Sequence, residues 1–248
     1  MSHLSFTKEF KEENVQRVFA KVFDQSSIQA VHRLAMKKAI DYLEFSIKTG
    51  KEASVFRATH PSGQYRAVKI YKTSTSSFKR MGDYIQGDPR FKNVPKEKRE
   101  IVFAWAKKEY KNLQLAQKAQ APCPVPYALQ ENVLVMEFIG KDGVASPTLK
   151  EVRKQELDAQ NIMEQIVEGI ARMAYGAGLV HADLSEYNML WNGKKVYFID
   201  VGQSVLLSHP KAEQFFQRDM YNVSHYLNKI GLNTTPEQVR EMVRRRKK

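Results

Sequence analysis

His181-Ala182-Asp183-Leu184-Ser185-Glu186-Tyr187-Asn188 is the stretch that decides how this chain is read. Its spacing is H-x-D-x-x-x-x-N. Phosphoryl transfer gives that spacing a physical reason. An aspartate must accept a hydrogen bond from the attacking hydroxyl, and an asparagine oxygen beyond the intervening turn can bind a metal on the phosphates. Working outward, residues 179–188 read as a loop, followed by two short strands at Met189–Trp191 and Val196–Ile199. The second strand delivers Ile199-Asp200-Val201-Gly202. A carboxylate at a strand end, followed by a turn glycine, can supply a further metal contact. Far upstream, Ala67-Val68-Lys69 lies on an alternating strand, Tyr65–Tyr71.

Taken in order, these three pieces fit the kinase pattern: the catalytic loop, the D-F-G position, and the V-A-I-K lysine that pairs with the α- and β-phosphates. Alone, each is commonplace. A His-Asp pair is often a hydrogen-bonded loop, and an A-V-K strand is usually just a strand. Together, on elements of the right type, they are specific. Lys69 needs a carboxylate to fix it. Glu109, within Trp105-Ala106-Lys107-Lys108-Glu109-Tyr110, is the chosen partner, and Glu97 and Glu100 compete with it as more solvated positions. Thr49-Gly50-Lys51-Glu52-Ala53-Ser54-Val55 stands in place of G-x-G-x-x-G and keeps a single glycine. By itself it is a hairpin turn. One strand ahead of Lys69, it becomes the candidate cover over the phosphates.

Residues 8–44 read as helical. Val15, Val18, Phe19 and Val22 make one apolar face, and Ile28, Val31, Leu34, Ala35 and Ile40 a second, after a Ser26/Ser27 cap. Strands Phe45–Thr49 and Ala53–His60 flank Gly50. Residues 72–95, broken by Gly82, Gly87 and Pro89, read as a partly mobile loop. A long amphipathic helix over Lys96–Gln120 turns Ile101, Trp105, Leu113 and Leu115 inward, and Pro122, Pro124 and Pro126 end it. Asn132–Phe138 is an apolar strand, and residues 139–150 look like a linker. Helices follow near 155–177, 211–230 and 235–246. The expected class is α+β: a helical extension over 1–44, a strand-rich lobe over 45–139 and a shortened helical lobe over 140–248. A cleft between lobes is a favoured small-molecule site.

The motifs S/T-G-K-E-A, H-A-D-L-S-E-Y-N and I-D-V/M-G-Q together resemble the RIO family of atypical kinases, its Rio-one branch in particular. Val68-Lys69-Ile70-Tyr71-Lys72, Tyr84-Ile85-Gln86-Gly87-Asp88, Phe91, Met136-Glu137-Phe138-Ile139-Gly140 and Arg218-Asp219 before Asn222-Val223-Ser224 fit that branch too. The likeness runs over about residues 25–232. The stretch before the first strand is too short for the winged-helix module of the Rio-two branch plus the shared helices. The bare catalytic core points to an archaeal member.

The resemblance implies a two-lobed kinase fold using ATP with Mg²⁺ or Mn²⁺. It makes Asp183 the proton acceptor, Asn188 and Asp200 the metal ligands, and Lys69 the phosphate-binding lysine. It makes the backbones of Glu137 and Ile139 the adenine hinge. It also implies that Asp200 can carry an aspartyl phosphate, and that the protein acts on the pre-small ribosomal subunit and its rRNA. Residues 201–248 contain no A-P-E, so a conventional peptide kinase is not expected. An autophosphorylating ATPase-like switch fits better. The alternatives are a small-molecule phosphotransferase of the aminoglycoside or choline kinase type, and a kinase-fold RNA scaffold. The Thr49–Ala53 loop argues against the first, and retention of all four polar residues against the second.

Composition sets the outer limits. Apolar residues make up 42% and charged residues 27%, as in ordinary globular chains. No run approaches a membrane span, and the first residues do not form a signal peptide. One cysteine, Cys123, excludes an internal disulfide framework and a Cys-rich zinc site, so the chain reads as intracellular. A cytoplasmic location and a monomer are the expectation. The formal net charge is +13, which suits a polyanionic partner or a phosphate-rich ligand. The run Arg244-Arg245-Arg246-Lys247-Lys248 is either a phosphate-contacting segment or a basic helix end. Thr73, Ser74, Thr75, Ser76 and Ser77 are phosphoacceptor candidates in a loop otherwise read as solvated. His3, His32, His60, His209 and His225 show no metal spacing.

Overall fold

Asp24, one residue ahead of the first described helix, caps it by accepting the Ser27 N–H at 2.8 Å. The cap is therefore this aspartate and not Ser26 or Ser27. The structure, a computed structural model, describes residues 24–74, 78–91 and 97–247, and the expected helical face of Val15–Val22 lies outside them. Helix α1 (Gln25–Met36) is shorter than the sequence suggests. Lys38 takes a positive φ of 57°, which ends it, and Ile40 enters the core from a turn.

The chain forms two units. The first holds residues 24–86, 97–110 and 125–138. Its centre is a five-stranded antiparallel sheet of β1 (Tyr42–Thr49), β2 (Ala53–Thr59), β3 (Tyr65–Tyr71), β4 (Pro126–Gln130) and β5 (Val133–Glu137), in the order β1-β2-β3-β5-β4. Strand alternation sorts the side chains. Phe56, Ala58, Val68, Ile70, Val133 and Val135 join Ala30, Val31 and Leu34 of α1 in one core. The opposite set includes Val55, Lys69 and Leu134, which are direct cross-strand partners. β3 is buried over Ala67–Tyr71, hence its near-continuous apolar run with one lysine.

Inside the stretch read as a loop stands α2 (Phe78–Ile85), in which Met81, Tyr84 and Ile85 are buried. Gly82 and the polar composition conceal that i, i+4 pair. Helix α3 (Lys98–Lys118) buries Val102, Trp105, Ala106, Lys108, Glu109, Asn112, Leu113 and Ala116, while Ile101 and Leu115 are only half-buried.

The second unit holds residues 87–91, 111–124 and 139–247. The expected linker contains a hairpin of β6 (Gly140–Lys141) and β7 (Val144–Ala145), turned by Asp142 and Gly143, both at positive φ. Asp-Gly with two positive φ values is the two-residue hairpin signal, and it was legible in the sequence. Helix α4 (Ala159–Ala171), capped by Asp158, continues into a π turn over Arg172–Gly176. Pairs β8 (Leu179–Val180) with β11 (Val205–Leu206), and β9 (Met189–Trp191) with β10 (Val196–Phe198), frame the loop 181–188. Helices α5 (Ala212–Lys229) and α6 (Pro236–Arg244) close the unit, the latter with a Thr235/Gln238 capping box.

Candidate active site

Within the first unit the sheet and α3 bring two charges together. Lys69 Nζ donates to both carboxylate oxygens of Glu109, at 2.9 and 2.8 Å. Both residues are buried, Glu109 almost completely. Glu97 and Glu100 are exposed. Such a pair holds the lysine head in one place, which a flexible four-carbon stem does not do unaided.

The Thr49–Val55 stretch is a β1–β2 hairpin. Thr49 pairs with Ser54, and the Gly50 N–H donates to the Ala53 carbonyl at 2.9 Å. Lys51 is exposed at the turn and Glu52 is half-buried. Lys72 ties the turn to the end of β3: its Nζ donates to the Gly50 carbonyl at 2.7 Å, and its N–H to the Glu52 carbonyl at 2.8 Å. Glu137 ends β5, where its N–H donates to the Val125 carbonyl and its carboxylate accepts the Val125 N–H. Ile139 belongs to the second unit, where its carbonyl accepts from the Ser146 N–H at 2.9 Å.

In the second unit the loop 181–188 brings Asp183 and Asn188 into contact. Asn188 Nδ2 donates to the Asp183 carbonyl at 2.8 Å and to its Oδ2 at 3.2 Å. Gln203 Nε2 donates to the same Oδ2 at 2.9 Å. Asp200 is exposed, at the end of the strand that pairs with β9, and the Ile199 N–H donates to the Asn188 carbonyl at 3.0 Å. Ala182 and Asp200 both take positive φ, 67° and 62°. Non-glycine residues hold that region only where their surroundings fix it, and such strain gathers at working sites.

The surroundings are explicit. Asp219 on α5 accepts the N–H groups of Ala182 (2.7 Å) and Leu184 (2.9 Å). Arg218 donates to the Ala182 carbonyl, and Asn222 Nδ2 to that of Leu184 at 3.1 Å. Ser204 Oγ donates to the His181 carbonyl at 3.0 Å. Asn112, fully buried on α3, donates to the carbonyls of Val201 (2.7 Å) and Ser204 (3.0 Å). Gln203, Asn112 and Asp219 carry no site role in the sequence reading. Asn112 was findable as a polar residue on the buried stripe of α3. Asp219 stood within a quoted motif.

Burial sets the electrostatics. It pushes the Asp219 carboxyl up to about 7, against the pull of the two N–H groups it accepts. His181 is pushed down to about 4 by burial, opposed by the Asp200 carboxylate. Its Nε2 lies 3.1 Å from the Ile199 carbonyl, which can only accept, so Nε2 carries the proton. Nδ1 has no hydrogen-bond partner. His181 is thus a neutral brace between the loop and the strand before Asp200.

A divalent cation fits Asn188 and Asp200 by donor chemistry. Both offer hard oxygens, and the contacts of Asn188 Nδ2 leave the amide oxygen as its ligating atom. No group of three or more His, Cys, Asp or Glu residues that could itself hold a metal occurs among the described residues. Mg²⁺ needs none, since one or two protein oxygens plus phosphates suffice. A cavity of about 500 Å³ in the second unit, lined by Asn161, Gln165, Arg172, Lys195 and Arg246 among others, contains none of these residues.

Residues 54–240 match the RIO domain. The chain belongs to the RIO domain family. The RIO-type serine/threonine-protein kinase Rio1 of Haloferax volcanii is 39% identical over 238 residues, which cover 96% of this RIO chain and 81% of the relative. Its namesake in Thermoplasma acidophilum is 44% identical over 193 residues, 77% of this chain and 100% of the relative. Human serine/threonine-protein kinase RIO1 is 42% identical over 207 residues, but these are only 36% of its length. Among solved structures, the Rio2 kinase-ADP/Mg²⁺-phosphoaspartate complex from Chaetomium thermophilum has a TM-score of 0.63 at 18% identity, covering 88% of this chain and 66% of that one. The fold is that of RIO kinases. No helix among the described residues is long and apolar enough to cross a membrane.

Proposed function

We propose that this RIO chain is an ATP-dependent protein kinase and ATPase that phosphorylates itself and acts in maturation of the small ribosomal subunit and its rRNA. Its relatives are named serine/threonine-protein kinases. The observation that carries the reading is the Asp183 carboxylate, oriented by Asn188 and Gln203 on a loop braced from α5. A scaffold needs no such carboxylate.

The roles are those the family resemblance implies, and the charge of each group suits them. Lys69, fixed by Glu109, neutralises the α- and β-phosphates. The Thr49–Ala53 hairpin would cover them, with Val55 as a further nucleotide contact. Glu137 and Ile139 offer backbone groups to adenine. Asn188 and Asp200 hold Mg²⁺ or Mn²⁺, which when bound neutralises charge on the phosphates. Asp183 accepts the proton of an attacking hydroxyl or water.

The Asp200 carboxylate also serves as an acceptor. One oxygen attacks the γ-phosphorus as the bond to the ADP oxygen breaks, giving an acyl phosphate and ADP. Water, losing its proton to Asp183, then releases phosphate. Support comes from the phosphoaspartate in the Chaetomium Rio2 complex, a statement about that protein. The test is trapping with labelled ATP, then hydroxylamine. Loss of label indicates the acyl phosphate; label that survives and maps to serine or threonine makes Asp200 a metal ligand alone.

The rRNA role draws on the +13 charge. The terminal arginines are partly engaged: Arg244 and Arg245 pair with Glu241, and Arg246 donates to the Glu164 carbonyl. Affinity for RNA should fall with salt at a log–log slope of about −0.7 per phosphate contact. Salt-independent binding would remove the charge from the account.

A further inference from the structure

We propose that Gln203 is the positioning residue of Asp183, and that it ties the orientation of that carboxylate to the turn that follows Asp200. The inference rests on Asp183 being the proton acceptor. Gln203 Nε2 lies 2.9 Å from Asp183 Oδ2, closer than Asn188 Nδ2, which meets the same oxygen at 3.2 Å. The Asn188 contact is local to the loop. Gln203 comes from a different segment, so it fixes the carboxylate against a separate part of the unit.

That segment is itself held. The Ser204 N–H closes a turn on the Val201 carbonyl at 3.1 Å. Asn112 grips the carbonyls of Val201 and Ser204, and Ser204 Oγ reaches back to the His181 carbonyl. The backbone on either side of Gln203 is therefore pinned, to α3 and to the start of the catalytic loop. Gln203 is itself buried, so its amide is not a solvated side chain that happens to touch Asp183. A carboxylate torsion is broad and roughly two-fold. A donor on a fixed arm, aimed at one oxygen, narrows it. A movement of the turn after Asp200 would be transmitted to the reacting face of Asp183 through one hydrogen bond.

The consequence is separable from folding and from nucleotide binding. Gln203→Leu removes the donor, and Gln203→Glu keeps the shape but replaces the donor with a like charge beside Asp183. Both should lower kcat for ATP turnover by about 10- to 100-fold, the cost of misplacing a reacting group by an ångström or less. The KM for ATP should hardly move. In an Asp183→Ala background, Gln203→Leu should cause no further loss, because residues that act as a unit are not additive.

The parent chain, the four variants Gln203→Leu, Gln203→Glu, Asp183→Ala and Asp183→Ala/Gln203→Leu, and melting curves on each make the test. A drop in kcat for both Gln203 variants at unchanged KM, with no added loss in the double variant, supports the proposal. Undiminished kcat in Gln203→Glu, or a further full-sized loss in the double variant, overturns it. A fall in melting temperature with kcat per folded molecule unchanged also overturns it, since Gln203 would then serve only the fold. If Asp183→Ala itself turns over like the parent, the reading of Asp183 falls, which is a distinct result.

Discussion

Replacing Lys69 with methionine should cost stability as well as chemistry, and the two losses should be separable. Lys69 Nζ meets both oxygens of Glu109 at 2.9 and 2.8 Å, with side-chain exposures of 9% and 1%. Removing one partner of such a pair takes away the group that faces the other charge deep in the protein, at about 3–5 kcal/mol. For a chain of this size that lowers the melting temperature by about 6–20 °C. The double variant Lys69→Met/Glu109→Leu removes both charges and fills the space with apolar groups, a change that is often neutral or stabilising. It should therefore recover most of the lost melting temperature and none of the phosphoryl transfer. Calorimetry beside a labelled-ATP transfer assay reads both quantities. A single variant as stable as the parent, or a double variant no better than the single, would refute the buried-pair reasoning. Recovered transfer in the double variant would refute the role of Lys69.

His181 gives a pH signature. Unfolded, it binds a proton near pH 6.5; folded, only near pH 4, so between them the unfolded chain holds more protons and stability falls as the pH drops. Its contribution, about 3 kcal/mol, is complete above pH 6.5 and gone below pH 4. Denaturant titrations of the metal-free chain against a His181→Gln variant should show a shallower acid loss in the variant, and parallel curves would contradict this. Gly169 on α4 has no room for a side chain, since a Cβ there would sit 2.7 Å from Phe198 Cζ and 2.8 Å from Pro122 Cγ. Gly169→Ala should lower stability by about 1–3 kcal/mol despite alanine's better helix propensity, and an equal or higher denaturation midpoint would show that the packing yields.

The strands Tyr65–Tyr71 and Met189–Trp191 stand where alternation and flanking turn residues place them in the sequence, and α3 lies within the expected Lys96–Gln120. Strong periodicity over a long segment survives tertiary context. The misses have local causes. β4 begins at Pro126, in a stretch read as a helix terminator, because pairing with β5 admits proline at a strand start. β8 and β11 are two residues each and exist only through each other. Of the site, the loop motif, Lys69 and Asp200 are visible as types at fixed offsets. The contacts that hold them are not: Gln203, Asn112 and Asp219 stand in readable stretches, but they act across 20 to 92 positions of sequence, distances that no local pattern encodes.

On the proposed function, this chain transfers the γ-phosphoryl group of ATP with Asp183 as the proton acceptor. The most direct measurement is Mg²⁺-dependent turnover of labelled ATP by the purified parent chain and by Asp183→Ala, at matched nucleotide occupancy. The account predicts clear turnover in the parent and a loss of about 10² to 10³ or more in the variant, with ATP still bound. Equal turnover in the two proteins, or none in either at saturating nucleotide, would contradict it.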